Sequence, residues 1–289
     1  DLYYSGLDGT WNEDGDGIYG EVADNVDLDF DVLVGRIPIR TASQARDYIE
    51  KLIAFESTPP DALFARKTLL GGIYLWSSYS GGSRPADTMN DGHSQFSEHE
   101  PVSDAEMWTR RLFRDGIQPY HTPSELGFFF DTLTSWDTGG AGSYAASGSH
   151  LVETLNNGWY HVFIGTHGSR TAWSMEGSGF YTSHASSLTN ISPVVYTMAC
   201  LTGHFDGSDP ALSEAFLRNP TGGALIYIGC SRYGWGVPDY SPASDYSGGG
   251  TSMEYAYEFY EQLFSLGRPT IGLAFAEHKA RMAWQSRSN

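Results

Sequence analysis

The sequence predicts an α/β protein: a three-layer sandwich with a mostly parallel sheet, preceded by a small N-terminal subdomain. Three observations carry that expectation. Apolar, β-branched or aromatic runs at 68–75, 162–165, 194–199 and 224–229 read as strands buried on both faces. Capped segments with helical spacing separate them, as in a doubly wound sheet. Two of the runs lead into reactive side chains, His167 and, 33 residues later, Cys200. In an open parallel sheet the strand C-termini line one edge, and ligands bind there.

The elements follow in order. Residues 1–30 read as an acidic, Gly-rich loop region, and Asp31–Pro38 (DVLVGRIP) as a strand ended by proline. Thr41 and Gln44 form a capping box, and Ala45, Ile49, Leu52 and Ile53 continue at helical spacing. That helix runs to about Ser57, where Pro59 and Pro60 follow. The expected boundary lies here: residues 1–60 as a small subdomain with an acidic calcium-type loop and first helix, residues 61–289 as the main α/β subdomain.

Beyond the strand at 68–75, residues 77–102 form a long loop rich in Ser, Gly, Asp and His. Ser103 and Glu106 cap a helix that Gly116 ends, and 117–121 read as a short strand. His150–Asn157 is a helix stopped by Gly158. Asp209 and Pro210 open the helix after the Cys200 strand, with proline in its first turn. Ser252–Leu266 and Thr270–Trp284 are the closing helices, parted by Gly267 and Pro269.

Composition narrows the function. A formal net charge of −18 repels phosphate backbones, so nucleic acid is excluded as a partner. No apolar run is long enough to span a membrane. Residues 1–35 hold ten carboxylates and no Lys or Arg, a local excess suited to Ca²⁺ or to solubility. Low Lys and Cys with abundant Tyr, Trp, Gly and Ser suit a secreted or cell-surface protein. The first residue is not Met, and the sequence stops just after a helix, so it reads as part of a longer chain.

His167 and Cys200 at one sheet edge are the pair a cysteine hydrolase needs. Gly168 sharpens the reading. A glycine after the His lets a substrate carbonyl approach the backbone, and its N–H can serve as an oxyanion donor. Cys230 ends the next strand and reads as a small packed side chain, although a pairing with Cys200 would silence the site.

Three stretches resemble the gingipain-type cysteine peptidases, part of the group with a caspase-like fold: THGSRTAW (166–173), ACLTGHFD (199–206), and YYSGLDGTWNEDGDGIYGE (3–21) with DVLVGRIP (31–38). The resemblance implies a peptide or protein substrate. It implies Cys200 as a thiolate nucleophile forming a thioester, and His167 as proton donor to the leaving amine. It also implies backbone N–H groups of Gly168 and Cys200 around the oxyanion. The family places a His-orienting carboxylate just after the first core strand. Here the candidates are Asp87 or Asp91, with Tyr79 or a backbone carbonyl as alternatives. The family's Trp-containing specificity loop falls on Trp235, with Asp104 as the acid of that pocket.

The loop 12–21 carries a second chemistry. Asn12, Asp14 and Asp16 alternate, Gly17 follows, the Ile18 carbonyl comes next and Glu21 closes the set. This is the front half of an EF-hand-type Ca²⁺ loop, with the closing Glu two positions early. The acids at Asp24, Asp27, Asp29 and Asp31 offer room for a second ion. Two other functions compete with a secreted endopeptidase. One is a non-catalytic, calcium-stabilised adhesion module on the same fold. The other is a transpeptidase or self-processing enzyme using the same dyad.

Overall fold

The computed structural model describes residues 2–72, 126–130, 147–175, 178–235 and 252–288. Five parallel strands form the central sheet: β1 (Thr68–Gly72), β2 (Leu126–Phe130), β3 (His161–Gly165), β7 (Ile191–Thr197) and β8 (Gly223–Ile228). Their order is β2-β1-β3-β7-β8, so the chain reverses its direction of growth between β1 and β3. The C-terminal crevice at such a reversal is the expected ligand position. A small antiparallel sheet of β4 (Gly168–Ser169), β5 (Ala172–Trp173) and β6 (Phe180–Tyr181) rises just beyond β3.

Alternation along the strands divides the core into two faces, because successive side chains point to opposite sides. Leu69, Val162, Ile164 and Val195 face one cluster, which also holds Leu151, Leu155, Leu212 and Phe216. Those partners come from helices α3 (Gly148–Leu155) and α5 (Leu212–Arg218). Leu70, Phe163 and Tyr196 face the other cluster, built on Phe259, Tyr260 and Ala274. These belong to α6 (Ser252–Tyr260), which continues as a π-helical turn over Glu261–Ser265, and to α7 (Ile271–Ser288). Helices on both faces of a parallel sheet are the predicted three-layer sandwich. Two short helices, α1 (Leu2–Ser5) and α4 (Thr182–Ser186), also lie among the described residues. Among the described residues no helix is long and apolar enough to cross a membrane.

Capping follows the sequence closely. Helix α2 spans Ala42–Ser57, with Thr41 Oγ1 accepting from the Gln44 N–H at 3.2 Å. Helix α3 ends where Gly158 adopts φ +84°, a left-handed value that glycine takes without steric cost. Two expectations fail. Asp31–Pro38 is not a strand. Its Asp31 and Val32 N–H groups bond Ser5 O, no ladder partner lies beside it among the described residues, and Val32, Leu33 and Ile37 are exposed. Apolar composition alone makes no strand without an edge to pair with. Pro210 also lies outside the helix it was expected to open. Ala211 is the N-cap of α5, and its N–H donates to the Glu214 carboxylate at 2.6 Å. The helix expected at 103–116 and the strand at 117–121 fall outside the described residues.

The N-terminal helix is tied to the sheet by one buried cation. Lys51 Nζ reaches the carbonyl oxygens of Leu217 at 3.0 Å, Asn219 at 2.8 Å, Gly222 at 3.0 Å and Ala224 at 3.0 Å. Phe216 O lies at 3.5 Å. These are the otherwise orphaned acceptors where α5 ends and β8 begins, and a cation suits a helix C-terminus. Burial lowers the Lys51 ammonium to about 8, so it still carries its charge at neutral pH. Tyr48 Oη donates to Leu225 O at 2.9 Å beside it. Lys51→Met keeps the stem and removes the ammonium, leaving several buried carbonyls unpaired. Its cost should be about 2–4 kcal/mol in urea unfolding. A change below about 0.5 kcal/mol would show that water replaces the cation there.

Candidate functional site

The β3–β7 pairing sets the site. Its partners, from His161 with Val194 to Ile164 with Thr197, are all offset by 33 residues. His167 and Cys200 keep that offset, three residues past the last paired position on each chain. The ladder therefore delivers both to the same level beyond the C-terminal edge. Both ladders stop before the reactive residues, at Gly165 and Thr197, so His167 and Cys200 sit on the loops that leave the strands.

Gly168 brings the two loops into contact. A Cβ there would lie 2.7 Å from Ala199 Cβ and 3.1 Å from Cys200 O, so only glycine fits. His167 is exposed, and its carbonyl accepts from the Ser174 N–H at 2.8 Å. The β4–β5 hairpin carries that bond. Trp173 pairs with Gly168 across it and is fully buried, packing on Phe180 and Phe216 with ring centroids 5.0 and 5.3 Å away. The tryptophan of THGSRTAW is thus the anchor that fixes the His167 loop to the core.

Cys200 is half-buried. The Gly234 N–H donates to its Sγ at 3.3 Å, and Gly234 O lies 3.6 Å from the same sulfur. A donor aimed at the sulfur is complementary to a negatively charged thiolate. The Leu201 N–H bonds Arg232 O at 2.7 Å, and Thr202 Oγ1 donates to Ala199 O at 3.0 Å. Cys230 is also free, with its Sγ 3.3 Å from Met198 O, and burial pushes its thiol up to about 11. Two thiols share this edge. Cys230 stays protonated at neutral pH, and Cys200 is the one with the N–H donor.

Trp235 lies beside this contact and is 71% exposed. Ser252, at the start of α6, accepts the Trp235 N–H on its Oγ and donates its own N–H to Trp235 O, each at 2.9 Å. Sequence reasoning missed Gly234 and Ser252. Gly234 acts through its backbone and Ser252 through its Oγ and its N–H, across 34 and 17 residues, a distance no local pattern records. Beyond Cys200 in the chain, Asp206 bonds His204 Nε2 at 2.6 Å and Arg232 at 3.0 Å. The Arg232 hydrogen bond holds the Asp206 carboxyl below its usual range. Asp87, Asp91, Tyr79 and Asp104 lie outside the described residues.

The acidic loop closes on itself. Carboxylate oxygens of Asp14, Asp16 and Glu21 all lie within 4.8 Å of one another. Asn12 Oδ1 accepts from Gly17 N at 3.3 Å, and Asp16 Oδ1 accepts from Ile18 N at 2.7 Å. Asp24 organises the loop through the loop's own backbone. Fully buried, it accepts the N–H groups of Glu13, Gly20 and Glu21 at 2.9, 2.8 and 3.1 Å, and so shapes the loop from inside. Asp27 accepts the Asp29 N–H at 2.9 Å, and Asp31 accepts the N–H of Leu7, 24 residues earlier, at 2.6 Å. Desolvation first, then the charges of Asp16, Asp14 and Asp24, raise the Glu21 carboxyl above its usual value.

Comparison with known proteins places this geometry in context. Gingipain R2 of Porphyromonas gingivalis is 26% identical over 230 residues, covering 77% of this chain and 26% of its own length. Gingipain R1 of the same species is 26% identical, again over 77% of this chain, and 20% of its own length is covered. The match therefore spans between 12% and 26% of the length of these curated relatives. The crystal structure of the Arg-specific cysteine proteinase gingipain R superposes with a TM-score of 0.60 at 17% identity, over 89% of this chain and 51% of that one. A complex of the pro- and mature domains of RgpB from Porphyromonas gingivalis gives 0.55 at 17% identity, over 94% and 56%. These neighbours share the fold expected from the sequence. The family model of peptidase family C25 matches residues 1–289, and the chain belongs to that family.

Proposed function

We propose that this chain is a cysteine endopeptidase unit with Cys200 as nucleophile and His167 as proton donor. The observation that carries the reading is the shared 33-residue offset, together with the Gly168 contact that joins the two loops. Family membership supports the same chemistry. In acylation, Cys200 Sγ forms a bond to the scissile carbonyl carbon, and the C–N bond then breaks. His167 gives its proton to the leaving amine. In deacylation, His167 takes a proton from the water that attacks the thioester carbon, the C–S bond breaks, and the thiolate and protonated His167 return. The Gly168 and Cys200 N–H groups are assigned to the oxyanion.

Asp87, or one of the alternatives beside it, orients the imidazole in this reading. Trp235 forms one wall of the pocket for the residue before the cut, with Asp104 as its acid. An exposed indole face packs well against the stem of Arg or Lys. The net charge of −18 concentrates cationic peptides, and the structural neighbour gingipain R is Arg-specific. A basic preference follows, with secretion or surface display as the setting. Cys200→Ala should reduce cleavage of an Arg-reporting fluorogenic peptide to background while the circular dichroism spectrum stays unchanged. The parent should cleave that peptide faster than its Ala and Leu analogues. Turnover retained in a clean Cys200→Ala preparation would overturn the nucleophile, and equal cleavage of all three would overturn the pocket.

Ca²⁺ fits the 12–21 loop. An all-oxygen set suits a hard cation, and the like charges of Asp14, Asp16 and Glu21 repel until one binds. Asn12, Asp14, Asp16, Glu21 and the Ile18 carbonyl would hold it. Its contribution there would be charge neutralisation and loop order. At calcium a hundredfold above its dissociation constant, EDTA should remove about 2.7 kcal/mol of stability. Melting in EDTA should therefore come several degrees earlier, and Asp16→Asn should blunt the difference. Identical melting curves with and without EDTA, and no metal by elemental analysis, would refute the site.

A further inference from the structure

Leu201, directly after Cys200, has φ +62°, and only Asn25 shares a positive φ among the described non-glycine residues. Left-handed backbone costs a residue such as leucine about 1–2 kcal/mol, and it persists only where its surroundings enforce it. On one side the enforcing contacts are Leu201 N to Arg232 O and Gly203 N to Cys230 O, at 2.7 and 2.9 Å. On the other side the loop continues into 205–210, and three guanidinium groups hold that stretch. Arg36 lies 5.2 Å from the Phe205 ring centre. Arg170, from the His167 loop, bonds Asp209 through both its carboxylate and its carbonyl. Arg40 makes the central contact, donating to Gly207 O at 2.6 Å and Ser208 O at 2.8 Å.

Arg40 does more than touch the loop. Its Nε lies 3.5 Å from Glu214, a buried carboxylate in the first turn of α5. One planar side chain thereby ties two loop carbonyls to a core helix, the fork geometry that arginine supplies and lysine does not. Glu214 also pairs with Arg218, which itself bonds Pro38 O at 2.8 Å. Loss of Arg40 leaves that buried charge compensated.

We propose that Arg40 is a positioning residue for Cys200. It holds 207–208 in place, keeps Leu201 left-handed and so keeps Cys200 Sγ on the Gly234 N–H. The inference rests on Cys200 as the nucleophile. The test is Arg40→Ala, with peptide hydrolysis, thermal melting and the rate of Cys200 carboxamidomethylation by iodoacetamide read by mass spectrometry. The expected result is a folded protein whose kcat falls about tenfold or more, the scale set by sub-ångström misplacement, with KM nearly unchanged. The alkylation rate should fall in parallel, and Arg40→Lys should restore part of both. Arg40→Ala with parental kcat and parental alkylation rate would overturn the proposal, whatever its melting temperature. So would a fall in kcat without slower alkylation. If Arg40→Ala does not fold, Arg40→Lys and Arg40→Gln carry the same comparison. Alkylation needs no substrate. Failure of the peptidase reading itself would appear separately, as turnover in Cys200→Ala.

Discussion

Parallel pairing of β3 with β7 at a fixed offset is the constraint on which the site depends. The ladder has no freedom to slip, because a one-residue shift would exchange the two faces of a strand. Val162 and Ile164 on one face and Phe163 on the other are all fully buried, so either slip would force each into space packed for the other. The core thereby fixes the level at which His167 and Cys200 leave the sheet. The last ångströms are settled by Gly168, whose missing Cβ lets the two loops touch, and by Trp173, which pins the hairpin.

The N-terminal segment belongs to the same mechanical unit. Its cations find carbonyls far along the chain: Lys51 at the end of α5, Arg40 at the loop after Cys200. Arg218 returns the favour by donating to Pro38 O. The acidic loop at 12–21 hangs from this segment, with buried Asp24 shaping it from within. A protein with 17 basic residues against 35 acidic ones places several of the few it has on backbone carbonyls. Such contacts order loops that carry no regular structure of their own.

Much of the sheet was legible in the sequence because its strands are apolar runs with a short period. Helix ends at Thr41 and Gly158 were legible because capping is local chemistry. The 31–38 segment misled because its composition suits a strand, while the edge it would need lies elsewhere. Pro210 misled by two residues, since Glu214 caps α5 at Ala211 and the helix begins at Leu212. The proposed pairing of His167 with Cys200 came from their flanking residues. Gly234, Ser252, Lys51 and Arg40 were not legible, because each works through backbone atoms brought close only by the finished fold.

The central claim is that Cys200, and not the neighbouring Cys230, is the reactive thiol. The most direct measurement is labelling at neutral pH with a peptidyl thiol-directed inhibitor, with the adduct mapped by peptide mass spectrometry. The account predicts one adduct per chain, on Cys200, with Cys230 unmodified. An adduct on Cys230, or no adduct on a folded protein, would contradict it.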